Sequence, residues 1–600
     1  LGLLKMDFLG LRNLDVITDT LAMLVNTQGL HVDIDTIPLD DDLTLSMLRN
    51  GDSIGVFQLE GGPMRALMRS LAPTSFEDVA ALVALYRPGP MAANMHNDYA
   101  DRKNGRKPID YLHDDLAELL GDTYGLMIYQ ESVMRVAQKF AGYSLADADN
   151  LRKACGKKVR ELIQKEREKF VEGCDAEGYG REIGSALFDV IEPFADYAFN
   201  KSHSYGYGLI AYQTAYLKAH YPVEYLAALL TSVKANLDKA AIYLNECRQV
   251  GIEVLVPDVN ISVSDFIAFD KPDGTRAIAF GMSAVRNVGE GLVGLMLAER
   301  DANGQFEDFF NFCDRVDVSV LNKRTIESLI KAGGFDSMGY SRKGLLGYFD
   351  RIIDDTVARR RKEAEGQFDL FSMADDAEDG ALVAGTRIVI PEEDFDKRQR
   401  LAFEKEMLGL YVSDHPLMGA EMSLRRRTES TIAELEGVED GTMRTVGGLV
   451  TSLQKKWTRK GDLMAVFVLE DLQATVEVMV FPKTMQNYGH LLEDDAVVIL
   501  RARVDTRDDQ PKLMAMELER FEPVVDGNPP VHVNLKPAAL SDELLSALKA
   551  LLSEHPGESQ VFLHIGEHQV LLLPENFAVS ATAGLLAELR ELLGPDAVAN

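Results

Sequence analysis

The spacing of apolar residues changes along this chain, and that change constrains the fold more than any single motif. From about Asp15 to Ala240 apolar side chains recur at helical intervals, as in SFEDVAALVALY and ESVMRVAQKFAGYSL, interrupted by turns such as RPGPM and DTYG. From Thr445 to Val524 they alternate with polar residues in short runs: TVGGLVTSL, MAVFVLED, TVEVMVF and AVVILRARV. A helical stripe and a strand face have different periods, so the two stretches must fold as separate units. The length of 600 residues agrees, since a chain of that size divides into about three to five domains.

The alternating runs predict about five strands, with an OB-fold β-barrel as the leading candidate. Between the helical and alternating stretches the pattern is mixed. VPDVNISVSDFIAF opens it, and Pro-Asp-Gly within Lys271 to Thr275 predicts a hairpin. A compact helical block follows through Gly339, and Glu363 to Arg400 is acidic and rich in breakers, as a linker would be. After a Pro-rich join at Asn528 to Pro530, VHVNL, a helix from Ser541 and the strands QVFLHIG and HQVLLLP predict a small C-terminal α/β unit. The expected fold class is multidomain α+β.

Composition narrows the function classes. No run approaches the roughly 18 apolar residues of a membrane span, and no basic-then-apolar leader opens the chain. Neither membrane insertion nor secretion is expected. The four cysteines, Cys155, Cys174, Cys247 and Cys313, are too sparse for a disulfide framework and suit a reducing cytoplasm. A net charge of −32 argues against indiscriminate coating of nucleic acid. Residues 81–220 nevertheless carry 18 basic against 20 acidic groups, and residues 151–170 carry eight against three. That near-neutral region is where a polyanion could sit. The first residue is Leu1 rather than Met, which raises the expectation of a fragment.

Several long strings then occur in a telling order: LGLLKMDFLGLRNL, GVFQLEGGPMRALM, ALVALYRPGPM, YGLMIYQESVM, ADNLRKACGKK, FNKSHSYGYGLIAYQTAYLKAHYP and VPDVNIS. Their order and spacing resemble the bacterial DNA polymerase III α subunits, the C-family replicative polymerases, over nearly the whole chain. The resemblance implies the edge of a polymerase-β-like palm over 1–14, helical fingers over 15–270, and a helix-hairpin-helix and clamp-binding region over 271–435 with its linker near 363–400. It further implies an OB fold over 440–525 and a clamp-loader-binding domain over 530–600. It implies a DNA-directed DNA polymerase that uses primer-template DNA and deoxynucleoside triphosphates. In that family three aspartates hold two Mg²⁺ ions. Asp7 in KMDFLGLR matches the third, while the first two belong to a motif placed upstream of Leu1, as does a PHP domain. The 600 residues alone are therefore expected to be inactive, and a scaffold for DNA, clamp and loader is the rival reading.

Local chemistry sits beside that resemblance. Lys5 precedes Asp7 on the same strand face, where the pair could hold a phosphate beside a hard cation, and it resembles the family lysine that reaches the incoming triphosphate. Arg152 and Lys153 share a helix with Lys157 and Lys158 one to two turns later, and could clamp the same triphosphate. Arg87, extended before Pro88, is either a phosphate contact or a rigid corner. Asn200, Lys201, Ser202 and His203, followed by Tyr205 and Tyr207, read as a glycine-containing turn suited to DNA backbone contact or base stacking. Gly289 and Gly291 in RNVGEGLVG read as the hairpin of a helix-hairpin-helix whose backbone N–H groups face phosphate. Lys455, Lys456, Arg459 and Lys460 around Trp457 suit a single strand. In the linker, Gln367, Asp369, Leu370 and Phe371 of QFDLF resemble a sliding-clamp peptide. The family likeness adds the clamp-loader τ subunit as a partner and, through the upstream region, a proofreading exonuclease subunit.

Overall fold

The computed structural model describes residues 10–157, 160–195, 198–364, 388–414, 416–417, 421–458, 461–471, 474–506, 511–521, 531–535, 542–559, 561–565, 569–574, 577–579, 585, 588–589 and 592–593. The chain divides into two compact units, Leu1–Asp414 and His415–Asn600.

The first unit is helical where the 3.6-residue spacing requires it. Its opening helices are α1 (Arg12–Gln28), α2 (Asp42–Asn50), α3 (Gly62–Leu71), α4 (Phe76–Leu85), α5 (Pro88–Ala92), α6 (Met95–Lys103) and α7 (Leu116–Leu120). There follow α8 (Gln130–Ala141), α9 (Leu145–Lys157), α10 (Arg160–Ala176), α11 (Arg181–Ala195), α12 (Lys201–His220), α13 (Pro222–Ser232) and α14 (Leu237–Gln249). Their ends obey local chemistry. Asp41 caps α2 by accepting from the Thr44 N–H at 2.8 Å, and α2 stops at Gly51 in the left-handed region.

Three apolar clusters hold this unit. One lies among α8 to α11 around the fully buried Phe140, Phe170 and Phe188. Burial of each such ring contributes about 1.5–3 kcal/mol. A second gathers Leu82, Leu85, Tyr99 and Tyr212 from α4, α6 and α12. There α12 lies so close to α4 that a Cβ on Gly208 would sit 2.9 Å from the Ala80 Cα, which only glycine avoids.

The third cluster runs from Val16 to Val412 and joins α1, α13 and α14 to a small sheet and the following helices. The sheet comprises β1 (Glu253–Leu255), β2 (Ile267–Asp270) and β3 (Arg276–Ala279), with β3 central. β2 and β3 form the hairpin expected at Lys271 to Thr275: the Lys271 N–H donates to the Thr275 carbonyl at 2.8 Å, and Gly274 takes φ +81°. The 270/271 boundary drawn from sequence thus falls inside a two-stranded pairing. After it come α15 (Glu290–Asn303), α16 (Phe309–Arg315), α17 (Lys323–Ala332), α18 (Arg342–Ala364) and α19 (Lys397–Leu408). Arg342 and Glu404, both buried, pair across α18 and α19 at 3.4 Å.

The second unit begins with α20 (Glu421–Arg425) and a barrel of β4 (Met443–Trp457), β5 (Leu463–Glu470), β6 (Thr475–Val480), β7 (Val497–Asp505) and β8 (Lys512–Arg520). The strands close in the order β4-β5-β6-β8-β7, with β6 and β8 parallel and α21 (Pro482–Tyr488) between β6 and β7. Period-two burial such as Thr475–Val480 fills the interior with Val446, Phe467, Val478 and Leu500. The four alternating runs read from the sequence are β4 to β7, and β8 is the further strand that brings the barrel to the expected five. Further on, β9 (Val531–Leu535), α22 (Asp542–Glu554), β10 (Pro556–Ser559), β11 (Val561–Ile565) and β12 (Gln569–Leu572) form a small α/β unit, in which β11 pairs parallel with β9 and antiparallel with β12. Among the described residues no helix is long and apolar enough to cross a membrane.

Candidate nucleotide and nucleic-acid interface

The segment Tyr129 to Glu131, leading into α8, is the hub to which the separate finger motifs attach. Tyr129 forms an isolated parallel bridge with Phe199, closed by Phe199 N–H to Ile128 carbonyl (2.9 Å) and Gln130 N–H to Phe199 carbonyl (2.8 Å). This backbone clasp places the two polar side chains at the start of α8. Gln130 Oε1 accepts from Arg152 Nη1 at 3.3 Å, and Glu131 accepts from the Asn200 amide at 3.2 Å and the Lys201 N–H at 2.9 Å.

Arg152 and Lys153 lie together on α9, and one carboxylate holds both. Asp149 Oδ1 accepts from Arg152 Nε at 2.9 Å and Nη2 at 2.8 Å, while its Oδ2 pairs with Lys153 Nζ at 2.6 Å. Lys153 and Arg152 hold the Asp149 carboxyl below the usual carboxylate range. Helix α9 ends at Lys157, whose side chain lies outside the described residues, as does Lys158.

The residues Asn200 to His203 are not the glycine-containing turn expected from sequence but the N-cap and first turn of α12. Asn200 Oδ1 accepts from the His203 N–H at 2.8 Å, which starts a helix that runs through Gly206 and Gly208. Gly208 permits close packing on α4, while Gly206 is a helix residue with open space about it, so neither makes a turn. Lys201 Nζ sits 3.0 Å from Asp122 and over the Tyr129 and Tyr205 rings at 5.3 and 5.5 Å. Ser202 and His203 are exposed, the His203 ring lying 4.5 Å from that of Tyr207. Arg87 is extended, as Pro88 requires, and its guanidinium stacks 4.2 Å over Phe199 while Nε donates to the Ala84 carbonyl. Burial pushes its pKa down.

Arg87, Arg152, Lys153, Asn200 and Lys201 are therefore joined in one contact network through Phe199, Gln130, Glu131 and Asp149. Those four connecting residues had been given no role. Asp149 was detectable, because it stands three and four residues before two cations on a helix. Gln130 and Glu131 lie in YGLMIYQESVM, where no local pattern marks them.

The hairpin glycines belong to the other large core of this unit, where Val285, Val288 and Val293 are buried. Gly289 caps α15 with φ −86°, Gly291 lies in its first turn, and the left-handed residue is Asn287 at φ +64°. The element before the hairpin is a single 3₁₀ turn, Met282–Ala284. Asn287 suits that position because its short polar side chain tolerates the conformation and here donates to Ser328 Oγ at 3.0 Å. Nothing lies within 4 Å of where a Cβ would stand on Gly289 or Gly291, so the backbone there is open.

In the barrel, Lys455 and Lys456 are exposed near the end of β4, and Trp457 is 73% exposed opposite Leu463. The turn beyond it is closed by Thr458 N–H to the Asp462 carbonyl at 2.8 Å. Arg459 and Lys460 lie outside the described residues, as do Lys5 and Asp7 and the linker residues Gln367, Asp369, Leu370 and Phe371. Among the described residues no group of three or more His, Cys, Asp or Glu is arranged to hold a metal ion.

A helical region, a glycine-capped hairpin and a closed five-stranded barrel together have the make-up of a nucleic-acid-binding protein. Residues 13–178 match the bacterial DNA polymerase III alpha subunit finger domain, 251–345 the helix-hairpin-helix motif, and 445–521 the OB-fold nucleic acid binding domain. The chain belongs to the DNA polymerase III alpha-subunit family. It is 46% identical to DNA polymerase III subunit alpha of Mycobacterium leprae, covering 99% of this chain and 51% of that protein. Against that of Thermus aquaticus the identity is 40% (94% and 45% covered), and against that of Bacillus subtilis 36% (99% and 52%). The chain spans about half the length of these relatives.

Proposed function

We propose that this chain forms the nucleotide-binding fingers, duplex-binding hairpin and single-strand-binding barrel of a DNA-templated DNA polymerase. The observation that supports this reading best is the attachment of Arg152 and Lys201 to the short Tyr129–Glu131 segment, and of Arg87 to Phe199, which pairs with it, from positions far apart in sequence. A triphosphate needs several converging donors, and a fork-shaped guanidinium beside an ammonium meets that need. In this reading Lys5, Arg87, Arg152, Lys153, Lys157 and Lys158 serve the deoxynucleoside triphosphate. Asn200, Lys201, Ser202 and His203 serve primer-template DNA. The open backbone at Gly289 and Gly291 meets duplex phosphate, and Lys455, Lys456, Trp457, Arg459 and Lys460 hold the single-stranded template.

Asp7 is assigned as one catalytic carboxylate and Mg²⁺ ligand, acting with two aspartates that the family resemblance places upstream. When bound, Mg²⁺ neutralises charge developing on the phosphates. The reading extends to a cytoplasmic replication assembly. QFDLF, through Gln367, Asp369, Leu370 and Phe371, engages the β sliding clamp; residues 530–600 engage the clamp-loader τ subunit, and the upstream region engages a proofreading exonuclease.

Primer extension by the polypeptide that carries this chain tests the reading. Arg152→Ala should lower incorporation at subsaturating nucleotide at least tenfold while primed-DNA binding persists. Unchanged incorporation overturns the nucleotide assignment. DNA, clamp and loader binding without any incorporation would instead establish the scaffold.

A further inference from the structure

All three nitrogens of the Arg152 guanidinium are engaged within the chain, two by Asp149 Oδ1 and one by Gln130 Oε1. The other Asp149 oxygen holds Lys153 at 2.6 Å. One carboxylate thus occupies both finger cations at once, Arg152 through one oxygen and Lys153 through the other. The three side chains remain one-third to one-half exposed, at 34% for Asp149, 33% for Arg152 and 54% for Lys153, so solvent and a ligand can reach them. An anion cannot take these donors without displacing Asp149 or binding close to its negative charge.

We propose that Asp149 is a positioning residue and built-in competing anion. It holds Arg152 and Lys153 extended along α9 when no nucleotide is bound, yields them to the phosphates on binding, and recaptures them when pyrophosphate leaves. The inference rests on the nucleotide reading of Arg152 and goes beyond it by giving the site a release device. The recapture breaks no covalent bond. Because Asp149 lies on the same helix turn as its partners, its effective concentration is high and its return needs no backbone movement.

The test uses Asp149→Asn, which keeps an amide oxygen for Arg152 but removes the charge, and Asp149→Glu, which restores charge at nearly the same place. Binding of deoxyadenosine triphosphate and of inorganic pyrophosphate is measured by calorimetry over a salt series on the polypeptide carrying this chain, with matched thermal unfolding midpoints. A carboxylate about 5–6 Å from a phosphate group in a water-like dielectric opposes it by about three- to fourfold in affinity per unit of phosphate charge. Asp149→Asn should therefore tighten both ligands by about three- to tenfold and steepen the salt dependence, since one more uncompensated cation faces the anion. Asp149→Glu should return both toward the parent.

Unchanged or weaker binding in Asp149→Asn, with binding still weakened by Arg152→Ala, overturns the role of Asp149 and leaves the nucleotide site standing. If Arg152→Ala changes nothing, the nucleotide site itself is wrong and this inference falls with it.

Discussion

Gln130 Oε1 accepts a hydrogen bond from Arg152 Nη1 at 3.3 Å, across 22 residues of sequence, and so ties the start of α8 to the cationic turn of α9. The neighbouring Glu131 makes the equivalent tie to the start of α12. Two adjacent side chains therefore fix the relative placement of the basic helix and of the Asn200–His203 turn.

Gln130→Ala removes an acceptor that orients Arg152 without touching its charge. The expected outcome is a two- to fivefold rise in the KM for deoxynucleotide, smaller than the effect of Arg152→Ala, because a neutral-to-charged hydrogen bond contributes about 1.5–3 kcal/mol only when fully buried and this one is not. Steady-state kinetics on the polypeptide that carries this chain compares the two variants, and equal KM values for parent and Gln130→Ala would remove the orienting role.

Glu131 accepts from a backbone N–H in the first turn of α12 and from the capping Asn200 amide. Glu131→Ala should cost about 0.5–2 kcal/mol of stability, the range of a lost helix N-terminal acceptor. Denaturant midpoints at constant m-value measure it. Glu131→Gln, which retains an acceptor, should lose less than half as much.

Burial pushes the Cys174 thiol up to about 11. A group whose folded pKa is raised contributes stability that is present below its unfolded value, about 8.5, and lost as pH climbs toward the folded value. The buried Cys174, Cys247 and Cys313 should then resist a thiol reagent at pH 8 in the native chain and react together once denaturant is added. Fast native-state labelling of Cys174 would contradict the burial.

Trp457 is the single tryptophan and is exposed beside Lys455 and Lys456. A single-stranded oligonucleotide should alter its fluorescence at low salt, with Trp457→Ala costing about 1–3 kcal/mol of binding and the remainder weakening with added salt. An unaltered signal at saturation, with binding still intact in Lys455→Ala and Lys456→Ala, would place the strand elsewhere on the barrel.

Leu370→Ala with Phe371→Ala should reduce affinity for a β sliding clamp and shorten products on long templates, since each buried side chain contributes about 1.5–3 kcal/mol before ordering costs. Synthesis on short primed templates without the clamp should stay at the parent rate. Equal clamp affinity for both proteins would assign QFDLF another role.

Periodicity determined the helical character of the fingers and the alternating strands of the barrel, and turn chemistry determined the Lys271–Thr275 hairpin. Each of these depends on residues within a few positions of one another, where side-chain direction and turn chemistry act locally. The Arg152–Lys153 pairing on α9 belongs to the same class. The turn expected at Asn200–His203 is a local reading that fails: Gly206 and Gly208 lie within α12, and Gly208 is where Ala80 of α4 packs closely. Tertiary structure decided the rest. The Tyr129–Phe199 bridge, the reach of Gln130 to Arg152 and of Glu131 to Lys201, and the stacking of Arg87 on Phe199 all join segments tens of residues apart. Such contacts follow from how amphipathic faces pack into a common core, and no local spacing in the chain encodes which polar side chains that packing will bring together.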